Sequence, residues 1–341
     1  MMLNDHAFSV APMMDWTDRH CRYFHRRMTA RARLYTEMVV ADAAIHGDRN
    51  MLMGSDPSEG PVALQLGGAE PGKLAEAARI GEGFGYDEIN LNVGCPSDRV
   101  QSGTFGACLM RTPELVAECV AAMARAASVP ITVKCRIGVD DQDPEESLFS
   151  LVDNCAAAGV ETFIVHARKA WLQGLSPKQN RDVPPLDYGL VKRLKEERPR
   201  LRVILNGGLK TVEEAKSHLG AVDGAMLGRA AYQTPRLLLD VDREIFGDEG
   251  PARRIEEIVV EMEAYIRRVS SDGVRPHHVL RHMQGLAHGL PGARAWRRML
   301  TEKGAATDVG ALARAHASLR AAIEAASSTA AALDERLVAA C

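Results

Sequence analysis

Short β-branched or apolar runs occur at residues 8–13, 34–38, 62–66, 88–92, 131–134, 162–166, 203–206 and 224–228, and helix-like stretches separate them. Strand alternating with helix implies a parallel sheet, because parallel strands need crossover connections. The intervening segments carry start and stop signals. Thr17 is placed to cap a helix through Tyr23 and Met28. Pro71 opens a helix to Gly83, and Thr112 with Pro113 opens one through Met123. The stretch 145–158 ends at Gly159, and Thr211 heads a helix containing Val212, Ala215 and Leu219. After the second strand only a short helix, at 40–45, is indicated.

Eight such units fit a closed barrel, with a doubly wound open sheet as the alternative. The strand ends favour the barrel. Gln65, Asn92, Lys134, His166, Asn206 and Arg229 follow successive strands, and a barrel gathers them at one mouth. An open sheet concentrates them at a single switch point. After Pro251 the strand signal stops. Residues 255–269 read as a helix, 279–286 and 293–300 as further helical stretches, and an Ala-rich tail runs to Cys341. The expectation is a (β/α)8 TIM barrel over residues 1–248 followed by a smaller all-helical domain over 249–341.

A chain of 341 residues accommodates that division. No apolar run reaches the length of a membrane span, and the N-terminus lacks the layout of a signal peptide. Seven cysteines without a CxxC pair argue against a disulfide framework and against a zinc ribbon. A cytoplasmic protein with reduced thiols and no metal is expected. The net charge of −3 does not announce a nucleic-acid binder, but the distribution is uneven. Between Asp272 and Glu302 there is no carboxylate, while Arg275, Arg281, Arg294, Arg297 and Arg298 fall there. A second acid-free stretch, 166–181, holds Arg168, Lys169, Lys178 and Arg181.

Asn206-Gly207-Gly208 follows the seventh strand and Gly228-Arg229 the eighth, the two positions where many barrels hold a phosphate. Glycine lets backbone N–H groups approach an anion, and arginine adds a charge-assisted bond. The cargo is either a sugar phosphate or the phosphate tail of FMN. A flavin ring needs an apolar seat, a partner for its pyrimidine edge and a positive charge to hold the reduced anion. Pro12, Met13 and Met14 offer the seat, Gln65 the partner, and Lys134 and His166 the charge or donors. Each has a plainer role: core filler for the methionines, a salt bridge for Lys134, a structural place for His166.

The segment Asn90-Leu91-Asn92-Val93-Gly94-Cys95-Pro96 leaves the fourth strand and displays a cysteine before a proline. An ordinary thiol, with a pKa of about 8.5, is largely protonated at neutral pH and serves as an acid without a helper base. Nucleophilic catalysis is the rival role, although no His–Asn relay lies in a nearby loop.

These residues resemble the tRNA-dihydrouridine synthases, and within them the A subfamily. The resemblance is carried by Ala11-Pro12-Met13-Met14-Asp15-Trp16-Thr17-Asp18 and by Leu91-Asn92-Val93-Gly94-Cys95-Pro96-Ser97, continuing from Val100 to Met110. Pro130-Ile131-Thr132-Val133-Lys134, His166-Ala167-Arg168-Lys169-Ala170-Trp171, Asn206-Gly207-Gly208 and Pro291-Gly292-Ala293-Arg294-Ala295-Trp296-Arg297-Arg298 follow in order. It implies FMN contacts at Pro12, Met13, Met14, Gln65, Lys134, His166, Asn206, Gly207, Gly208, Gly228 and Arg229. It also implies Cys95 as proton donor, NADPH as reductant, and uridines 20 and 20a of the tRNA D-loop as substrate. Cys135 departs from the threonine expected after the lysine.

The substrate class agrees with the residues. A base inside folded tRNA must leave its stack to reach a barrel floor. Asn92 is placed to hold the uracil edge, while Arg168, Lys169, Gln179 and Arg181 on one side and Arg294 and Arg297 on the other are placed to meet tRNA. Trp171 and Trp296 are candidates for base stacking or for packing. Two other readings remain: an FMN barrel oxidoreductase acting on a small molecule, and an RNA-binding barrel without chemistry.

Overall fold

The computed structural model describes residues 6–97 and 105–339, with side chains through residue 328. The part of the resemblance that rests on residues 98–104, and the last two residues of the tail, lie outside the described residues. Eight parallel strands form one sheet in the order β1-β8-β7-β6-β5-β4-β3-β2. They are β1 (Phe8–Val10), β2 (Leu34–Val40), β3 (Val62–Gly67), β4 (Glu88–Val93), β5 (Ile131–Arg136), β6 (Thr162–His166), β7 (Arg202–Asn206) and β8 (Gly224–Leu227). Pairing of Phe8 with Ala225 joins β1 to β8. A parallel bridge from Ser9 to Arg33 closes the remaining edge, with Val10 N–H donating to the Arg33 carbonyl at 3.0 Å. The sheet is a (β/α)8 barrel.

Strand side chains alternate between two faces, so every second residue points inward. The outer residues, Leu91, Val133, Phe163, Leu205 and Leu227 among them, are sealed under the surrounding helices. Inside, Ala11, Tyr35, Ala63, Ile164, Ile204 and Met226 form a separate apolar cluster. It separates the polar floor from part of the mouth. On the floor Glu88 is buried and accepts from Tyr35 Oη at 2.9 Å and Thr132 Oγ1 at 2.6 Å. At the other end the same inward parity brings up Gln65, Asn92, Lys134, His166 and Asn206.

Helix signals hold with local corrections. The first helix is Arg19–Arg26, and its cap is Asp18, which accepts from Cys21 N–H, not Thr17. Thr17 instead closes the preceding turn, its hydroxyl accepting from Met13 N–H at 2.9 Å. The spacing could not tell these neighbours apart, because both residue types cap helices. β1 ends at Val10 because the chain turns back at Met13, whose carbonyl accepts from Thr17 N–H at 2.9 Å. Beyond β8 the described residues contain helices and no strand. The helix Ile255–Ser271 packs on the barrel, with Tyr265 stacked on Tyr23 at 3.9 Å and its hydroxyl 2.7 Å from His20 Nδ1. The expected helix at 279–286 is one short turn, His277–Leu280, followed by turns. Among the described residues no helix is long and apolar enough to cross a membrane.

Candidate functional site

The loop after β4 is fixed before any ligand is considered. Asn92 Oδ1 accepts from the N–H groups of Gly94 at 3.1 Å and Cys95 at 3.0 Å. Its Nδ2 donates to Gln65 Oε1 at 2.8 Å, and Gln65 Nε2 donates to Asn90 Oδ1 at 2.8 Å. Asn90 Nδ2 continues to Thr132 Oγ1 at 2.8 Å, and Thr132 reaches Glu88. One hydrogen-bonded file thus runs through the barrel from its floor to the peptide of Cys95. Such networks rigidify when every member is satisfied. Gln65 keeps one N–H and one lone pair in reserve, and Asn92 keeps one N–H.

Cys95 is half-buried, its Sγ 3.5 Å from Ser97 Oγ and its carbonyl accepting from Ala107 N–H at 3.0 Å. From the other side Arg136, at the end of β5, donates through Nε to the Gly94 carbonyl at 3.1 Å. Its Nη1 donates to the carbonyls of Lys169 at 2.9 Å and Asn180 at 2.8 Å. Arg136 is buried, and no carboxylate is recorded against it; burial and neighbouring cations lower its pKa to about 10. Arg136 is not among the residues singled out from the sequence. Its inward parity with Lys134 was the available signal.

Lys134 projects into the mouth, and its Nζ has one recorded partner, Asn206 Oδ1 at 3.1 Å. Burial, then the charge of Arg136, lowers its pKa to about 8. Asn206 is itself anchored, donating to the Met226 carbonyl at 2.8 Å. Burial and the charges of Arg136, Lys134, Arg168 and Arg181 push His166 well below its ordinary range, so it is a neutral imidazole. Its Nδ1 is buried without a hydrogen-bond partner. Arg168 donates through Nε to the Pro184 carbonyl at 2.7 Å, while its Nη1 is also buried and unpartnered. A cationic mouth with unused donors suits an electron-rich or anionic ligand.

At the ends of β7 and β8 the backbone lies open. Gly207 and Gly208 have φ of 113° and 76°, which few other residues adopt. A side chain on Gly207 would press on the His166 ring, and one on Gly208 on Leu186 and Tyr188. Tyr188 donates to the Gly207 carbonyl at 2.5 Å. Gly228 precedes the short helix Arg229–Gln233, and Arg229 is paired with Asp182 at 2.6 Å. Arg229 therefore reaches an anion only by sharing or leaving that carboxylate. An anionic, electron-rich group such as a flavin mononucleotide would fit this lining, which offers unpartnered nitrogens at His166 and Arg168 and an ammonium at Lys134.

The remaining predicted residues divide into engaged and unengaged groups. Lys169 donates to the Gln142 carbonyl at 2.6 Å and lies 5.8 Å from the Trp171 ring. Gln179 closes its own loop, accepting from Ser176 N–H at 2.9 Å. Arg181 is exposed at the rim, and its charge is felt at His166 and Arg136. In the helical region Arg294 and Arg297 lie on the helix Ala293–Thr301, both exposed and without a recorded ion pair, whereas Arg298 pairs with Glu302. They line a surface pocket of about 530 Å³ with His288. Trp296 is fully buried, donating to the Met283 carbonyl at 3.0 Å, so it packs and does not stack on a base. Trp171 remains exposed.

Comparison with known proteins places these observations. A protein of Escherichia coli strain K12 called tRNA-dihydrouridine(20/20a) synthase is 55% identical over 311 residues, covering 90% of this chain and 90% of its own. One of the same name from Vibrio cholerae is 54% identical over 302 residues, covering 88% and 92%. Among solved structures, morphinone reductase superposes with a TM-score of 0.51 at 13% identity over 74% of this chain and 88% of its own, a likeness of fold. The family profile described as Dihydrouridine synthase (Dus) matches residues 9–325. The chain belongs to the dihydrouridine synthase family.

Proposed function

We propose that this protein reduces uridine to 5,6-dihydrouridine in the D-loop of tRNA, at positions 20 and 20a, with FMN in the barrel mouth and NADPH as reductant. The observation that carries the reading is the thiol of Cys95, held at a mouth that also presents the Lys134 ammonium and an unpartnered nitrogen of the neutral His166 ring. Relatives more than half identical over nearly the whole chain bear the name of this activity.

A reduced flavin bound there supplies the hydride that adds to C6 of uracil. The protein supplies the rest. Cys95 Sγ donates a proton to C5 from the opposite face of the base, and a positioned acid of this kind contributes roughly 10²–10⁴-fold. Asn92 fixes the loop through its carbonyl oxygen and keeps one N–H for a uracil carbonyl. Lys134 Nζ would supply positive charge to the reduced cofactor, and Gln65 would offer it the remaining N–H and lone pair. His166 and Arg168 bind the phosphate with Gly207, Gly208, Gly228 and Arg229. The helical domain, residues 249–341, carries the tRNA through Arg294 and Arg297, and Arg181 meets it across the mouth. Lys169 and Gln179 hold that rim in shape. The target base enters by leaving its stack.

Mapping dihydrouridine in tRNA from cells lacking the protein tests the reading. Loss at positions 20 and 20a, restored by the wild-type gene and not by Cys95→Ala, is expected. Unchanged modification at both positions would contradict it.

A further inference from the structure

Beside the mouth lies a cleft of about 390 Å³, of whose lining the chemistry above uses Arg297 alone. Its wall is an aromatic pair, Trp16 and Tyr232, stacked at 4.4 Å with 11° between the rings. Trp16 belongs to the turn after β1, and its N–H donates to the Met13 carbonyl at 3.1 Å. Tyr232 lies in the helix after β8, the strand paired with β1. The pair therefore stands one turn of chain from Met13 and Gly228, at the edge of the mouth.

The stack is braced by His282, Asp18 and Arg281, and His282 and Arg281 also line the cleft. Tyr232 Oη lies 3.1 Å from His282 Nδ1, and His282 Nε2 lies 3.0 Å from Asp18. Asp18 also receives Arg281 at 2.6 Å. The other groups lining the cleft are different in kind. Asp15, Gln233 and Gln284 line it, and none has a recorded hydrogen bond to its side chain. Asp15 has φ of 64°, a left-handed conformation uncommon outside glycine, and Glu37 receives its N–H. Such strain is found where the surrounding structure fixes a residue for use. Arg297, without a recorded ion pair, stands at the same cleft. An aromatic wall, three vacant hydrogen-bonding side chains and a free cation form the elements of a nucleotide site.

We propose that this cleft receives a second nucleobase of the tRNA, the unpaired neighbour of the reacting uridine, on the Trp16–Tyr232 platform. This rests on the uridine-reducing reading of the mouth. Asp15, which can only accept, takes an N–H of that base; the Gln233 and Gln284 amides complete its edge, and Arg297 meets its phosphate. Holding the neighbour orients the extruded uridine, because the two share a backbone.

The test is a mutant cycle on the flavin-loaded, full-length protein. Unmodified tRNA transcript is compared with two transcripts carrying an abasic nucleotide on one or the other side of the target. Trp16→Ala is expected to weaken binding by about tenfold or more, the usual scale of one base stacked on an aromatic ring. One abasic transcript should lose the same factor with wild-type protein and little further with the variant, and Trp16→Phe should restore binding to intact tRNA. Asp15→Asn and Gln284→Ala carry the same cycle without disturbing the stack. Losses that multiply for both abasic transcripts, or no loss on removing Trp16 or either flanking base, would overturn the assignment. Wild-type protein that binds and reduces the transcript while the cycle fails sinks the cleft alone. Wild-type protein that neither binds nor reduces tRNA sinks the underlying reading with it.

Discussion

Cys95 owes its place to bonds made by its neighbours. Asn92 takes its N–H and that of Gly94, and Arg136 takes the Gly94 carbonyl. The role of proton donor proposed for Cys95 predicts that Cys95→Ala leaves flavin content and tRNA affinity intact. Dihydrouridine formation should fall at least about 100-fold, the lower end for a lost general acid; a full rate in single turnover would remove Cys95 from the chemistry. Lys134 gives a second prediction, with a pH sign. Burial, then Arg136, brings its pKa to about 8, so the apoprotein carries this charge below pH 8 and loses it above. A ligand that prefers the ammonium binds with constant affinity below that pH and more weakly above it. FMN affinity of the apoprotein should show this step, Lys134→Met should lack it, and a wild-type curve flat from pH 7 to 9 would contradict the assignment. Both residues were legible in the sequence as polar or exposed-looking strand ends. That Lys134 lacks a carboxylate was not, because any salt bridge for it would have joined elements far apart in the chain.

β4 shows how an element can be read halfway. The alternation Glu88, Asn90, Asn92 announces a polar inward face, and the strand was found where its pattern placed it. What the alternation could not give is the register with β3 and β5, which sets Gln65 against Asn90 and Asn92 against Lys134. That register makes the hydrogen-bonded file from Glu88 to Cys95. β2 carries an irregularity between Tyr35 and Met38, and irregularities of this kind re-aim side chains near active sites. Here Glu37 turns to Asp15 N–H, a contact hidden from any local reading. The clamp between the loops after β4 and β6 is Arg136. Arg136→Met should free three backbone carbonyls and cost about 2–4 kcal/mol, given the usual cost of buried groups left unpaired. Iodoacetamide should then alkylate Cys95 several-fold faster while flavin remains bound. An unchanged alkylation rate would mean the clamp does not hold the loop.

At the scale of the whole molecule, the barrel followed from the alternation together with the polar strand ends, while the seating of the helical region on it did not. That seating uses Asp18, a helix cap that also binds Arg281 and His282 from the far end of the chain. Burial opposes the Asp18 charge, but the His282 and Cys21 hydrogen bonds and Arg281 outweigh it and hold the carboxyl well below the usual range. Asp18→Asn keeps the cap and removes the charge, and should cost about 1–2 kcal/mol at neutral pH, the scale of hydrogen bonds to a charged group discounted for the exposure of Arg281. Because the folded-state pKa is depressed, that stability is present above the ordinary carboxylate value of about 4 and is lost as pH falls toward the folded one. The gap between wild type and variant should stay constant above pH 4 and close below it, and a gap that widened in acid would contradict the sign. Arg294 and Arg297 test the tRNA-binding face proposed for the helical region. Replacing both with alanine should weaken binding and lower the salt slope by about 1.5–2, as expected for two lost phosphate contacts. Arg298→Ala, whose charge Glu302 already meets, should do less. The most direct measurement is chemical: purified protein with FMN, NADPH and an unmodified tRNA transcript, followed by nucleotide-resolved detection of dihydrouridine. Product at positions 20 and 20a from the wild-type protein, and none from Cys95→Ala, is the predicted result. NADPH consumption with no dihydrouridine anywhere in the transcript would contradict it.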